Sequence, residues 1–339
     1  MSPAELLDLL GRDFMQRALL AALLTGLAAP AIGTFIVQRR LALLGDGIGH
    51  VAVTGVALGL LTGASPTWTA VVVAILGAVL IEVIREKGHT NGDVALALLF
   101  YGGLAGGVLI TGLAGDGAAG LQVYLFGSVT SISSTEVWYT AGLALVVLTF
   151  TLGLLPQLFA VASDPEFAKV AGLRVRAYNL LVAVLAAISV TVAMRTVGLL
   201  LVSALMVVPV ATSQQLARSF RSTLLWAMVL GGVAAVGGLV VAAWLSARAT
   251  VAPGPSIVLL ALAMFAATWP VGVWVRRRRR LAEPFPALGT GTPGPHEVDE
   301  HPHQHGDDCG HPAVPHEDHL DYVHDGHRHA PHGEHYDEH

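Results

Sequence analysis

Apolar residues dominate positions 16–275 in blocks of about twenty, broken by short polar or glycine-rich segments. A helix needs roughly 20 apolar residues to cross the hydrocarbon core of a bilayer, at about 1.5 Å of rise each. Nine stretches approach or reach that length, near 16–38, 41–63, 66–84, 93–113, 136–155, 177–194, 196–217, 222–245 and 256–275. The sixth and seventh are short enough to be pieces of broken helices. Between the fourth and fifth lies "GLQVYLFGSVTSISS", too short to cross and read as an interfacial or re-entrant piece. The pattern predicts an all-α, polytopic integral membrane protein with eight or nine transmembrane helices.

The polar ends complete the layout. Residues 1–13 read as a short extracytoplasmic N-terminus and 14–280 as the membrane domain. Residues 281–295 are a linker, which the Pro/Gly-rich run "EPFPALGTGTPGPHEV" marks. Residues 296–339 form a His/Asp/Glu-rich tail with so few apolar side chains that disorder is expected. No cleavable signal peptide is evident, because the first apolar run is long enough to span. Glycines at GxxxG spacing (Gly45/Gly49, Gly55/Gly59, Gly102/Gly106 and Gly103/Gly107) point to close helix packing.

Charge sets the orientation. Alternate loops hold Arg39 and Arg40, Arg85 and Lys87, Lys169, Arg174 and Arg176, Arg218 and Arg221, and the run Arg276–Arg280. The opposite side holds only Arg12, Arg17, Arg195 and Arg248. The basic loops are assigned to the cytoplasm, which puts the tail inside as well. The net charge of −5 averages unlike segments, since the tail alone holds 12 Asp and Glu against one Arg. One cysteine, Cys309, excludes an intramolecular disulfide and a Cys-cluster metal site.

Within "LGDGIGHVAVTGVALG" (residues 44–59), Asp46 and His50 lie four apart and share one face of the second span. Ionisable side chains inside a span are costly, and mark a pathway, a site or a partner. A carboxylate and an imidazole on one face suit a borderline divalent ion such as Zn²⁺ or Mn²⁺. Two alternatives stand beside this: a buried Asp–His hydrogen bond that fixes packing, and an N-cap role for Asp46. The loop "ASDPEFAKVAGLR" carries a Ser163/Glu166 capping box, Pro165 in a first turn and Gly172 as a stop. It predicts a short cytoplasmic helix with Phe167 and Val170 on an apolar face, either docked on a partner or packed as a connector.

Neither of the two lysines, Lys87 and Lys169, fits GxxxxGK[ST]. The chain therefore has no such phosphate-binding loop, and any coupling to ATP must come from a partner. The tail scatters His296, His301, His303, His305, His311, His316, His319, His324, His327, His329, His332, His335 and His339 among acidic residues, a composition that binds zinc, nickel or copper multivalently. The run "HEDH" at 316–319 is not a zincin motif, because its histidines are three apart rather than four.

Three classes of function follow. The first is a membrane subunit of a metal importer driven by a separate ATPase. The second is a self-sufficient secondary metal transporter or channel. The third is an intramembrane enzyme. No span contains HExxH, and His50 is the one intramembrane histidine, which weighs against an enzyme. Asp46 is nearly alone among intramembrane acids, which favours an external source of energy over a secondary transporter.

The sequence resembles the zinc/manganese ABC-importer permeases over most of residues 14–275. The resemblance rests on five ordered blocks: "VQRRLALLGDGIGHVAVTGVALG", "YLFGSVTSIS", "DPEFAKVAGL", "VGLLLVSALMVVPVATSQQLA" and "PGPSIVLL". It implies a permease homodimer in the bacterial inner membrane, two cytoplasmic ATPase subunits that bind ATP, and an extracytoplasmic metal-binding protein. Zinc, or failing that manganese, would be the transported ion, with no permanently bound cofactor and no nucleic-acid partner. It further implies that Asp46 and His50 lie on the translocation path. Asp164, Pro165, Glu166, Phe167, Lys169, Val170 and Gly172 would belong to a segment that couples to the ATPase. Gly49 departs from the serine usual before that histidine, and the tail lies outside the resemblance.

Overall fold

The computed structural model describes residues 3–86, 92–114, 121, 124–127, 132–194, 198–246, 251–282, 296–298, 309–316, 319–324, 327–332 and 335–338. Ala-, Leu- and Gly-rich runs form helices because, in hydrocarbon, a helix satisfies every backbone polar group within its own segment. In chain order the helices are α1 (Pro3–Gly11), α2 (Asp13–Gln38), α3 (Leu44–Thr62), α4 (Pro66–Glu86), α5 (Gly92–Leu113) and α6 (Ser134–Gly153). They continue as α7 (Leu155–Ser163), α8 (Pro165–Val170), α9 (Val175–Met194), α10 (Leu199–Leu216), α11 (Phe220–Leu245) and α12 (Pro253–Ala282).

Among the described residues, eight helices are long and apolar enough to cross a membrane: α2 to α6, α9, α11 and α12. The chain is an all-α, multi-pass membrane protein. The seventh apolar stretch, α10, is shorter than a full span in its apolar part, Val202–Leu216. It opens after Gly198, whose φ of 87° suits glycine, and carries Pro209 inside. Of the expected re-entrant piece, Tyr124 is buried and residues 124–126 make a helical turn. Residues 120, 122–123 and 128–131 of that stretch lie outside the described residues.

Two units are described separately, residues 1–274 and 275–339. In the first, α2 is the central helix, packed against α6, α9, α10 and α11. Small residues let neighbours reach its backbone; a Cβ on Gly33 would strike the carbonyl of Met206 on α10. α3 lies against α4 and α5. Gly55 and Gly59 face Ala70 and Pro66 of α4, and Gly103 and Gly107 face α3, whereas nothing lies within 4 Å of a Cβ on Gly102. Gly103 and Gly107 therefore make the closest approach, Gly106 meets the Thr54 side chain, and Gly102 points into open space. At the end of α4, the nearly buried Glu82 meets Arg39 at 3.5 Å and Arg85 at 2.8 Å. Burial lowers the pKa of the Arg39 guanidinium, and the Glu82 charge opposes that shift.

Beyond α12, the described residues of the second unit are mainly short extended segments. Five short strands, β1 (His296–Val298), β2 (Ala313–His316), β3 (His319–His324), β4 (His327–His332) and β5 (His335–Glu338), form an antiparallel sheet in the order β1-β5-β4-β3-β2. A sheet ladder is made by the backbone and needs little apolar core. Asp325-Gly326, between β3 and β4, is a two-residue hairpin signal that a composition reading overlooks.

Candidate functional site

The site begins at the first turn of α3. Leu43 occupies the N-cap position, so Asp46 does not cap the helix. The carboxylate is instead met from across the bundle: the Ser203 hydroxyl of α10 donates to Asp46 Oδ1 at 2.6 Å. One turn further on, His50 is half-buried, and its ring meets Phe100 of α5 edge-on with centroids 4.1 Å apart. Nδ1 of His50 is buried without a hydrogen-bond partner among the described residues. Asp46 and His50 therefore share a face without bonding each other, and neither packing alternative describes the pair.

Close helix contact holds this geometry. Gly103 of α5 lies so near α3 that a Cβ there would be 2.6 Å from the Val51 nitrogen and 2.7 Å from the His50 carbonyl carbon. The Thr54 hydroxyl donates to the Gly103 carbonyl at 2.7 Å and fixes the crossing. Gly49 faces α10, where a Cβ would lie 3.3 Å from Leu199 Cδ1. A hydroxyl at position 49 would thus crowd Leu199, and the hydroxyl that reaches Asp46 comes from α10. A cavity of about 270 Å³ opens between α3 and α5 beside Asp46, lined by Leu43, Asp46, Gly47, Leu96, Ala97, Phe100 and Tyr101. A carboxylate with unused lone pairs and an unpartnered imidazole nitrogen are donors for a borderline divalent cation. Sequence reasoning missed Ser203; a lone serine in an apolar helix sends no signal until α10 is folded against α3.

The second predicted feature is present with a different cap. Ser163 ends α7, and Asp164 is the N-cap of α8, accepting from the backbone nitrogens of Glu166 at 3.0 Å and Phe167 at 2.9 Å. An Asp carboxylate reaching those two amides displaces the expected Ser163/Glu166 box. Pro165 begins α8, Lys169 pairs with Glu166 at 2.7 Å, and Gly172 ends the turn at φ 82°. Ala168 is buried, whereas Phe167 and Val170 are 64% and 88% exposed. An apolar face stands in the open there, beside a 380 Å³ cleft lined by Glu82, Glu86, Pro165, Lys169, Arg174, Val175, Arg176 and Asn179.

Of the tail histidines, three pairs are direct cross-strand neighbours: His316 with His319, His324 with His327, and His332 with His335. His296 lies in β1, His329 in β4, and His311 precedes β2. His301, His303, His305 and His339 lie outside the described residues. Among the described residues no group of three or more His, Cys, Asp or Glu side chains forms a ready metal site.

Residues 11–271 match the family model described as the ABC 3 transport family. The chain belongs to that family. Family membership covers the membrane unit and agrees with the resemblance read from its five blocks. The manganese transport system membrane protein MntC of Halalkalibacterium halodurans is 35% identical over 260 residues, 76% of this chain and 87% of that protein. The high-affinity zinc uptake system membrane protein ZnuB of Haemophilus influenzae is 29% identical over 248 residues, 73% of this chain and 94% of that protein. Among solved structures, PsaBC from Streptococcus pneumoniae in complex with Fab aligns with a TM-score of 0.72 and 30% identity, over 82% of this chain and all of that one.

Proposed function

We propose that the protein is the permease subunit of an ATP-binding-cassette importer that carries a divalent transition metal into the cytoplasm. An extracytoplasmic binding protein delivers the ion, and separate ATPase subunits power its passage through a permease homodimer. The observation that carries this reading is the Asp46–His50 face: two metal-competent groups in a membrane helix, neither bonded to the other, with Asp46 lining a cavity. Membership of the ABC 3 transport family supports the class of transporter.

The path holds its ion weakly, because Asp46 and His50 offer too few ligands to trap it. The exposed Phe167 and Val170 give α8 an apolar contact for an ATPase subunit, and movement of α8 would alternate access to the path. The tail binds metal on the cytoplasmic side, with the paired histidines as its donors. Zinc is the first reading for the cargo, because imidazole on the path and in the tail favours it. Manganese is the second reading, favoured by the 35% identity to MntC and by the carboxylate oxygen that Asp46 offers.

Uptake of radiolabelled zinc and manganese, offered separately and in competition, tests both levels in cells that depend on this permease. His50→Ala, verified to reach the membrane, is expected to lose at least about nine-tenths of uptake, the order of a lost metal ligand or its orienting contact. Manganese is expected to compete poorly with zinc. Unchanged uptake in His50→Ala would return that residue to a packing role.

A further inference from the structure

We infer that Ser203 is a positioning residue of the metal path, holding the Asp46 carboxylate where the cation meets it; this rests on the pathway reading of Asp46 given above. At 2.6 Å the contact has the length of a charge-assisted O–H···O⁻ hydrogen bond. It is also a departure from what hydroxyls on this helix otherwise do. Thr212 and Ser213, on the same α10, bond back to the carbonyls of Val208 and Val210, the usual outlet for such a side chain in an apolar helix. Ser203 instead donates to a carboxylate 157 residues away in sequence.

The packing beneath makes that bond possible. The backbone of α10 at Met206 lies against Gly33 of α2, and a Cβ on Gly45 would sit 3.3 Å from Met206 Sδ and 3.7 Å from Ser203 Cβ. Glycine on both neighbours seats α10 close enough for a short side chain to span the gap. The bond occupies one acceptor position of Oδ1 and leaves Oδ2 for the ion. It also ties that carboxylate to α10, so a shift of α10 against α3 alters the presentation of Asp46. In an importer whose binding protein captures the ion, such a group governs passage rather than capture.

Kinetics of uptake test this in the full transporter, with membrane abundance and thermal stability measured alongside. Ser203→Ala is expected to lower the maximal rate on the order of tenfold, as loss of a hydrogen bond to a charged group implies, with the half-saturating metal concentration unchanged. Ser203→Cys, similar in size but a weak donor, is expected to behave like Ser203→Ala, and Ser203→Thr to restore most of the rate. Normal rates in both Ser203→Ala and Ser203→Cys would overturn the inference, as would failure of Ser203→Thr to recover what Ser203→Ala loses. Asp46→Ala separates the levels. If it abolishes uptake while the Ser203 variants transport normally, only this inference falls; if it transports normally, the pathway reading falls with it.

Discussion

At the scale of single residues, the membrane unit depends on where side chains are missing as much as on where they are present. Gly103 brings α5 onto the backbone of His50, and the same crossing places Phe100 edge-on to the imidazole. A side chain at 103 would meet backbone atoms, which cannot rotate away as a flexible side chain can. Gly103→Val is therefore expected to destabilise the protein by about 1–3 kcal/mol, the range for overpacking, and to disturb the α3–α5 crossing. Thermal unfolding in detergent checks this, with Gly102→Val as the control: position 102 faces open space and is expected to change stability by no more than about 0.5 kcal/mol. Asp46 and His50 were legible in the sequence because ionisable residues are rare inside spans. Ser203 was not, since its importance comes from a partner 157 residues away.

At the scale of elements, α8 shows how a short helix is specified locally. It has six residues, too few to be stable alone, and it stands because Asp164 caps its start, Ala168 is buried against Val161 and Val175, and Gly172 ends it. Phe167 and Val170 take no part in that scaffold, being exposed. Phe167→Ala combined with Val170→Asp is accordingly expected to leave thermal stability within about 0.5 kcal/mol of the intact chain. If α8 is the contact proposed for an ATPase subunit, the same pair is expected to abolish uptake and association; co-purification of the two subunits is the readout. Retained association would assign α8 to connection alone. The sequence placed this helix correctly and misplaced its cap by one residue, because a serine box and an aspartate N-cap share the same local pattern.

At the scale of the whole molecule, the chain joins a membrane unit that matches a transport family to a tail that lies beyond the match, which ends at residue 271. The proposal that the tail binds metal is tested at this scale. Deletion of residues 296–339 is expected to preserve uptake in metal-poor medium and to remove several zinc equivalents bound by the purified protein. Equilibrium dialysis counts those equivalents. An unchanged count would locate the binding elsewhere.

Although the short helices α1 and α7 were not read from it, the sequence by itself determined that the protein is a helical membrane protein, where its long apolar helices run, and which intramembrane side chains carry charge. Each of these is written in local runs of about twenty residues or fewer, since bilayer thickness and helix rise set the period. Only the tertiary structure decided that the Gly103 register packs on α3 while Gly102 does not, that His50 meets Phe100, and that Ser203 reaches Asp46. Those are contacts between helices far apart in the chain. No local pattern encodes them, because helix crossings are set by the shapes of two surfaces together.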